Sequence, residues 1–427
     1  MQTDDKRYQA YLNILQEELV PAMGCTEPIA IAYAAAKARD ILGTEPDRVI
    51  VEASRNIIKN VKSVVVPNSG DLKGLAASAV AGIVAGKSEK ILEVLADVSS
   101  EQQRQIKNFL DSKDVRVSES SSDLTFDLVV TVGSRESTAS VQISHYHTNI
   151  VSMTQNGKSI YTNQDCDEIT TKKLTDRSIM NVKDILDFAE SVALSDIEEL
   201  LQQQIDYNMA IAEEGLKDDW GANIGKVLLG SWDNDVKIRA KALAAAGSDA
   251  RMSGCDLPVV IASGSGNQGI TASVPVIVYA QDLGSDRETL MRALVVSNLI
   301  TIHQKTGIGR LSAYCGAVSA GCGAGAGIAW LHGGRFDQIA HTIVNALATV
   351  SGIICDGAKP SCAAKIASSV DAGILGFYMY EQGQQFYGGD GIVTKGVENT
   401  INNIGRLGRE GMKETDREII RIMLGEE

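Results

Sequence analysis

Two stretches of this chain, Leu257 to Gln281 and Leu311 to Gly334, contain no Asp, Glu, Lys or Arg. Runs that long without charge belong either in a bilayer or in a buried core. Both are studded with Gly, Ser, Asn or Gln, which leaves them less apolar than a membrane span needs to be. They predict buried segments, and no membrane partner is expected. The 427 residues allow two domains or one large elaborated domain. Lys and Arg number 40 against 54 Asp and Glu, a net charge of −14 with no basic cluster, which excludes nucleic acid as a partner. Aromatic residues make up only 5% of the chain while Gly reaches 40 residues. Such a core implies closely packed helices and turns that approach a ligand. Gly-rich, uncharged helices would serve either that core or the face of a homodimer.

The N-terminus, MQTDDKRYQAYL, is charged and lacks an apolar run followed by a cleavage site, so a cytoplasmic location is expected. Seven Cys, an odd and scattered set in such a chain, point to metal or catalytic work rather than disulfides.

Residues 6–20 have helical periodicity, which breaks at Pro21–Gly24. Thr26 reads as the N-cap of a mostly buried helix reaching about residue 42, with Glu27 and Pro28 in its first turn. The β-branched runs 48–54 and 61–66 read as strands, and Leu72 to Ala85 as a helix. From 113 to 161 the chain alternates in β-rich runs, with a hairpin signal at Asn156-Gly157. From Asp184 it reads as helices, among them 184–216, 235–246, 285–303, 335–350 and 415–423. This segregation predicts an α+β fold, with a mainly helical catalytic body and a smaller domain bearing an antiparallel sheet. The expected division is residues 1–44 for the N-terminal helices, 45–165 for the sheet and 166–427 for the helical body.

Cys25 lies just before a helix N-terminus, whose free N–H groups and dipole would favour a thiolate. It reads equally as a nucleophile, ligand or base and as a small buried residue. Cys355 and Cys362 are spaced Cys-x6-Cys, neither a zinc knuckle nor a ferredoxin run. With Cys315 they could hold three irons of a four-iron cluster, leaving the fourth as a Lewis acid for substrate. Ser263 to Gly269 (SGSGNQG) could form a nest of backbone N–H groups for a carboxylate or phosphate, with Asn267 and Gln268 adding donors beside Ser265. A plain turn is the competing reading. Arg251, Arg310 and Lys359 are cations in low-charge surroundings, either anion ligands or halves of ion pairs. Asn56, Lys59 and Asn60 flank the first strands. His145 and His147 would share one strand face but lack a third metal ligand. The Gly-rich run 321–327 has no preceding strand, and Gly86-Lys87-Ser88 closes a helix instead of opening one, so neither reads as a nucleotide loop. Cys322, among Gly and Ala, reads as helix packing.

Taken together, GCTEP at 24–28, HTNI at 147–150, SDARM at 248–252, SGSGNQG at 263–269, RLSAYC at 310–315 and GIICDGAKPSCAAK at 352–365 resemble the L-cysteine desulfidase family. That family is similar to the alpha domain of iron–sulfur L-serine dehydratases. The resemblance spans about residues 8–425. It implies a 4Fe-4S enzyme that splits L-cysteine into sulfide, ammonia and pyruvate, with Cys315, Cys355 and Cys362 on the cluster and Cys25 as base. Asn56, Lys59, Asn60, Arg251, Ser265, Asn267, Gln268, Arg310 and Lys359 are the candidates for holding substrate. The segment after Asn60, VKSVVVPNSG, departs from the family's Gly-containing pattern. L-Serine dehydration at the same site is the nearest alternative. A pyridoxal-phosphate lyase using Lys305 or Lys359 would need a phosphate loop and a ring-nitrogen partner, neither of which is evident. A non-catalytic iron–sulfur or thiol redox sensor would use the three cysteines without needing Cys25.

Overall fold

The computed structural model describes residues 1–122, 124–163, 174–309 and 311–425. Its strands are β1 (Pro21–Met23), β2 (Arg48–Ala53), β3 (Asp114–Glu119), β4 (Asp127–Gly133), β5 (Thr138–Ser144), β6 (Ile150–Gln155), β7 (Lys158–Thr162) and β8 (Pro258–Val260). Six of them form one sheet in the order β3-β2-β4-β5-β6-β7. Alternation decides its buried face: Val49 and Val51, Leu128, Val130 and Val132, and Val141 and Ile143 are all fully enclosed. Each such side chain contributes about 1.5–3 kcal/mol by leaving water. Those of β4 and β5 pack on the Thr26–Leu42 helix, which is in turn covered by the Gly74–Ala85 helix, and β2 meets the Gly74–Ala85 helix. The hairpin turn at Asn156-Gly157 puts both residues at positive φ, 52° and 74°, as a two-residue type I′ connection requires.

The α+β reading holds, with three differences in detail. First, β3 pairs parallel to β2, while the remaining neighbours are antiparallel. The Ser100–Ser112 helix, fixed at its start by a Ser99–Gln102 capping box, returns the chain so that β3 runs in the same direction as β2. Second, 61–66 is not a strand. The chain forms a short helix, Arg55–Val61, then a turn held by a Val65–Lys73 bridge and by Val66 N–H donating to the Leu72 carbonyl. Val64 and Val66 are fully buried, so their apolar character set burial but not conformation. Third, 184–216 divides into helices Val182–Ser191 and Leu194–Lys217 around the buried Val192.

Helices Val236–Met252, Gly266–Leu283, Arg287–Ile308, Gly316–Leu331, Phe336–Val350 and Ser361–Glu381 build the helical body. The Gly316–Leu331 helix lies inside it, against four of the others. Gly325 meets the backbone of Gly373 there, and Cys322 is buried beside the Ile343 carbonyl. Both uncharged runs are therefore interior. Among the described residues no helix is long and apolar enough to cross a membrane.

Candidate active site

Two small β contacts assemble the site. β1 pairs antiparallel with β8, Pro21 opposite Val260 and Met23 opposite Pro258. This pairing brings Cys25, two residues beyond β1, beside the SGSGNQG turn that follows β8. Thr26 Oγ1 closes the junction by donating to the Gly264 carbonyl at 3.0 Å. The second contact is an antiparallel bridge between Tyr314 and Ile354. Cys315 N–H donates to the Ile353 carbonyl and Cys355 N–H to the Ala313 carbonyl, which sets the two cysteines side by side. Cys362 enters from the first turn of the Ser361–Glu381 helix.

All four cysteines line one cavity of about 110 Å³, together with Glu27, Lys59, Asn60, Arg251, Ser265, Asn267, Gln268 and Lys305. A wider hollow of about 420 Å³, lined by Phe126, His145 and Asp416, shares its Leu311 and Ser312 wall. Four helices begin at the inner cavity, at Thr26, Gly266, Gly316 and Ser361. Each helix start leaves backbone N–H groups without helical partners and carries partial positive charge. Backbone approach is close here. A Cβ on Gly316 would meet Gln268 at 2.6 Å, and one on Gly266 would meet Arg251 Nε at 2.4 Å.

Burial, and then the neighbouring Cys355 sulfur, push the Cys315 thiol up to about 12. Burial also raises Cys362. Thiols held this way would be deprotonated by a cation placed among them. Among the described residues no trio of His, Cys, Asp and Glu side chains is gathered closely enough to hold a single metal ion.

Cys25 corrects one expectation. It is itself the N-cap residue of the helix beginning at Thr26, with no side-chain capping bond. It is not disposed toward a thiolate: burial first, and then the Glu27 carboxylate, raise its thiol well above the ordinary range, against a lowering effect of Arg251. Its Sγ–H donates to Glu27 Oε2 at 3.2 Å. Burial alone would raise the Glu27 carboxyl, but His147 and the Cys25 hydrogen bond outweigh it and hold Glu27 at about 2. Thr26 Oγ1 also reaches Oε2, at 3.2 Å, and Asn60 Nδ2 donates to Oε1 at 2.9 Å. His147 Nε2 stands 3.8 Å from Oε1, beyond hydrogen-bond reach.

The other expected residues divide. Lys59 and Asn60 are buried on the Arg55–Val61 helix, not in a solvated turn. The Lys59 ammonium, its side chain 1% exposed, is paired with Asp416 of the Lys413–Leu424 helix, as a buried charge requires. Arg251 Nη1 donates to Asn267 Oδ1 at 3.1 Å, while its Nε and Gln268 Oε1 are buried without partners. Asn56 is half-buried and off the cavity wall. Lys359 is also off the wall. It pairs with Asp356 at 2.5 Å and donates to the Asp356 carbonyl, pinning the loop between Cys355 and Cys362. Arg310 and Cys166 lie outside the described residues. His145 and His147 do not share a strand face: β5 ends at Ser144, and His145 takes a φ of 71°. Val64, in the segment that departs from the family pattern, packs with Cys25 and Met252.

Sequence reasoning passed over Glu27, His147 and Lys305 as cavity or near-cavity groups. Glu27 reads as an ordinary first-turn acid, His147 as half of a weak zinc pair, and Lys305 only as a Schiff-base candidate. The available signal was that the first two sit inside the GCTEP and HTNI motifs.

Residues 89–421 match the family described as serine dehydratase alpha chain. The chain is also 62% identical over 426 residues to a UPF0597 protein of Desulfitobacterium hafniense, covering 100% of this chain and 99% of that one. It is 49% identical to one from Lachnoclostridium phytofermentans (98% and 100% covered) and 38% identical to one from Shewanella oneidensis (98% and 99%). With its fold, its cavity and these matches, the chain belongs to the serine dehydratase alpha chain family, a family of lyase-type enzymes.

Proposed function

We propose that this protein is a 4Fe-4S-dependent carbon–sulfur lyase that converts L-cysteine to sulfide, ammonia and pyruvate. The observation that carries the reading is the convergence of Cys315 with Cys355 and Cys362, from two separate segments, on one small cavity that also holds Cys25. The donor set suits such a cluster. Sulfurs on a cubane each take a different iron, so they stand wider apart than the ligands of one ion. When bound through these three cysteines, the cluster supplies an iron free of protein sulfur, a Lewis acid for the substrate carboxylate and the leaving group.

The chain's own groups do the rest. The helix starts at Gly266 and Gly316, with Arg251, favour a bound carboxylate. Cys25 faces the same space and is the candidate to take the Cα proton. To act as base it must first lose to solvent, before substrate fills the cavity, the proton it directs at Glu27, and the Arg251 charge favours the thiolate left behind. Elimination leaves aminoacrylate, which tautomerises and hydrolyses to pyruvate and ammonia without further catalysis.

L-Serine is the second reading, favoured by the family match, because the same groups would serve a hydroxyl leaving group. The test is iron and acid-labile sulfide content after anaerobic reconstitution, with product release measured on the same sample. About four irons and four sulfides per chain are expected, with sulfide and pyruvate from L-cysteine. Pyruvate from L-serine alone would move the reading to dehydration. A folded protein that takes up no iron would remove it.

A further inference from the structure

We infer that Glu27 is the receptor for the substrate's α-ammonium group, which makes the site selective for free α-amino acids over their des-amino analogues. The inference rests on the lyase reading above and adds a residue and a substrate class to it.

Glu27 is the only carboxylate among the described residues lining the inner cavity. Lys59, Arg251 and Lys305 share the wall. A zwitterion needs both signs, and on this wall only Glu27 offers the negative one. Three of the four helices that start here have no acid in their first turn. The Thr26–Leu42 helix alone carries one, and that residue is Glu27.

The hydrogen bonds leave room for a ligand. Oε2 is occupied by Cys25 Sγ and Thr26 Oγ1. Among the described residues Oε1 accepts only from Asn60 within hydrogen-bond distance, and a carboxylate oxygen has a second lone pair. Gln268 Oε1, buried and unpartnered on the same cavity, is a second acceptor for an ammonium. The carboxylate stays ionised because of its donors and its place at a positive helix end.

The geometry also connects recognition to chemistry. One oxygen of Glu27 already holds Cys25 Sγ. An ammonium on the other oxygen puts Cα, one bond from the nitrogen, beside that sulfur. The substrate carboxylate then turns toward Arg251 Nε and the Gly316 helix start. An acid that merely positioned Cys25 would give no preference between ligands with and without an amino group.

The experiment is equilibrium binding to the reconstituted protein, using two compounds. α-Methyl-L-cysteine has no Cα hydrogen and cannot be eliminated. 3-Mercapto-2-methylpropanoate has the same thiol, carboxylate and methyl but no amino group. Wild type should bind the first at least about tenfold more tightly, the worth of one charge-assisted hydrogen bond. In Glu27→Gln that ratio should fall to about two or less, while affinity for the des-amino compound changes little. A wild-type ratio near one overturns the inference with no variant needed, so it does not depend on Glu27→Gln folding. An unchanged ratio in the variant overturns it as well. Absence of product from L-cysteine and L-serine with the ratio intact would remove the lyase reading and leave the ammonium site standing.

Discussion

Asp249, in the SDARM motif, is fully enclosed at the C-terminal end of the Val236–Met252 helix. It faces the start of the Ile224–Ser231 helix, accepting from the Gly225 N–H at 3.4 Å, with further backbone bonds from Ala222 and Ile224. Its Oδ1 has no partner. Burial raises this carboxyl from 3.8 to about 6, and the three backbone donors only partly offset the rise. A group raised in the folded state binds its proton more tightly there than in the unfolded chain. Wild type should therefore lose stability as pH climbs from about 4 through 6, with the full loss present at pH 7. At 1.36 kcal/mol per pH unit the loss is about 3 kcal/mol. Relaxation around the charge trims that to about 2 kcal/mol. Asp249→Asn keeps one acceptor oxygen for the backbone donors and removes the charge. Urea unfolding midpoints at pH 7.5 should exceed wild type by an amount corresponding to about 2 kcal/mol, and the gap should close near pH 4. A variant less stable than wild type at pH 7.5, or a gap that does not change between pH 4 and 8, would refute this account of the residue.

Cys355→Ala should lose reconstituted iron and all turnover together, read by iron content and sulfide release. Cys25→Ala should keep its iron while kcat falls by about 10²–10⁴; retained activity would remove it as the base. Gly269→Ala should cost about 3 kcal/mol or more in urea unfolding, because its Cβ would come 2.0 Å from the Val260 carbonyl oxygen, a backbone atom with nowhere to go. Gly316→Ala should cost under about 1 kcal/mol, since the clash is with the movable end of Gln268, but KM should rise as that side chain swings away.

The sheet was legible where one face was buried. The 48–54 and 127–144 regions show period-two alternation because helix Gly74–Ala85 lies on the first and helix Thr26–Leu42 covers the second. The 61–66 run misled because Val64 and Val66 are buried on a turn, and apolar content alone does not separate a turn from a strand. The cysteines were legible as chemistry since nothing in their spacing served a disulfide. Their convergence was expected from the resemblance but not from their spacing, because it depends on a bridge joining residues 314 and 354 and on strands at 21–23 and 258–260. Lys359 read in sequence either as an anion ligand or as half of an ion pair, and its partner Asp356, three residues away, makes it the second. Lys59 finds its partner some 350 positions later, at Asp416.

That long-range assembly gives the two uncharged runs a second role beyond forming a core. A surface helix is commonly stabilised by an acid in its first turn, and here the helices starting at Arg287, Phe336 and Val397 have Glu288, Asp337 and Glu398. The helices starting at Gly266 and Gly316, inside the uncharged runs, have none, nor does the one starting at Ser361, and all three point at the cysteine cavity; helices starting elsewhere, at Lys6, Gly74, Ile224 and Val236, lack one too, so it is the shared aim of these three that matters. An acid there would neutralise the helix end and repel both a thiolate and a substrate carboxylate. The lack of an acid at these three helix starts therefore preserves a locally positive pocket inside a protein of net charge −14. Burial strengthens the effect, because the field of a helix end is weakly screened where water is excluded. A chain this acidic could not attract anions through its surface as a whole. It can do so at one enclosed point, where three unopposed helix ends meet Arg251 and the Glu27 carboxylate provides for a ligand's positive end.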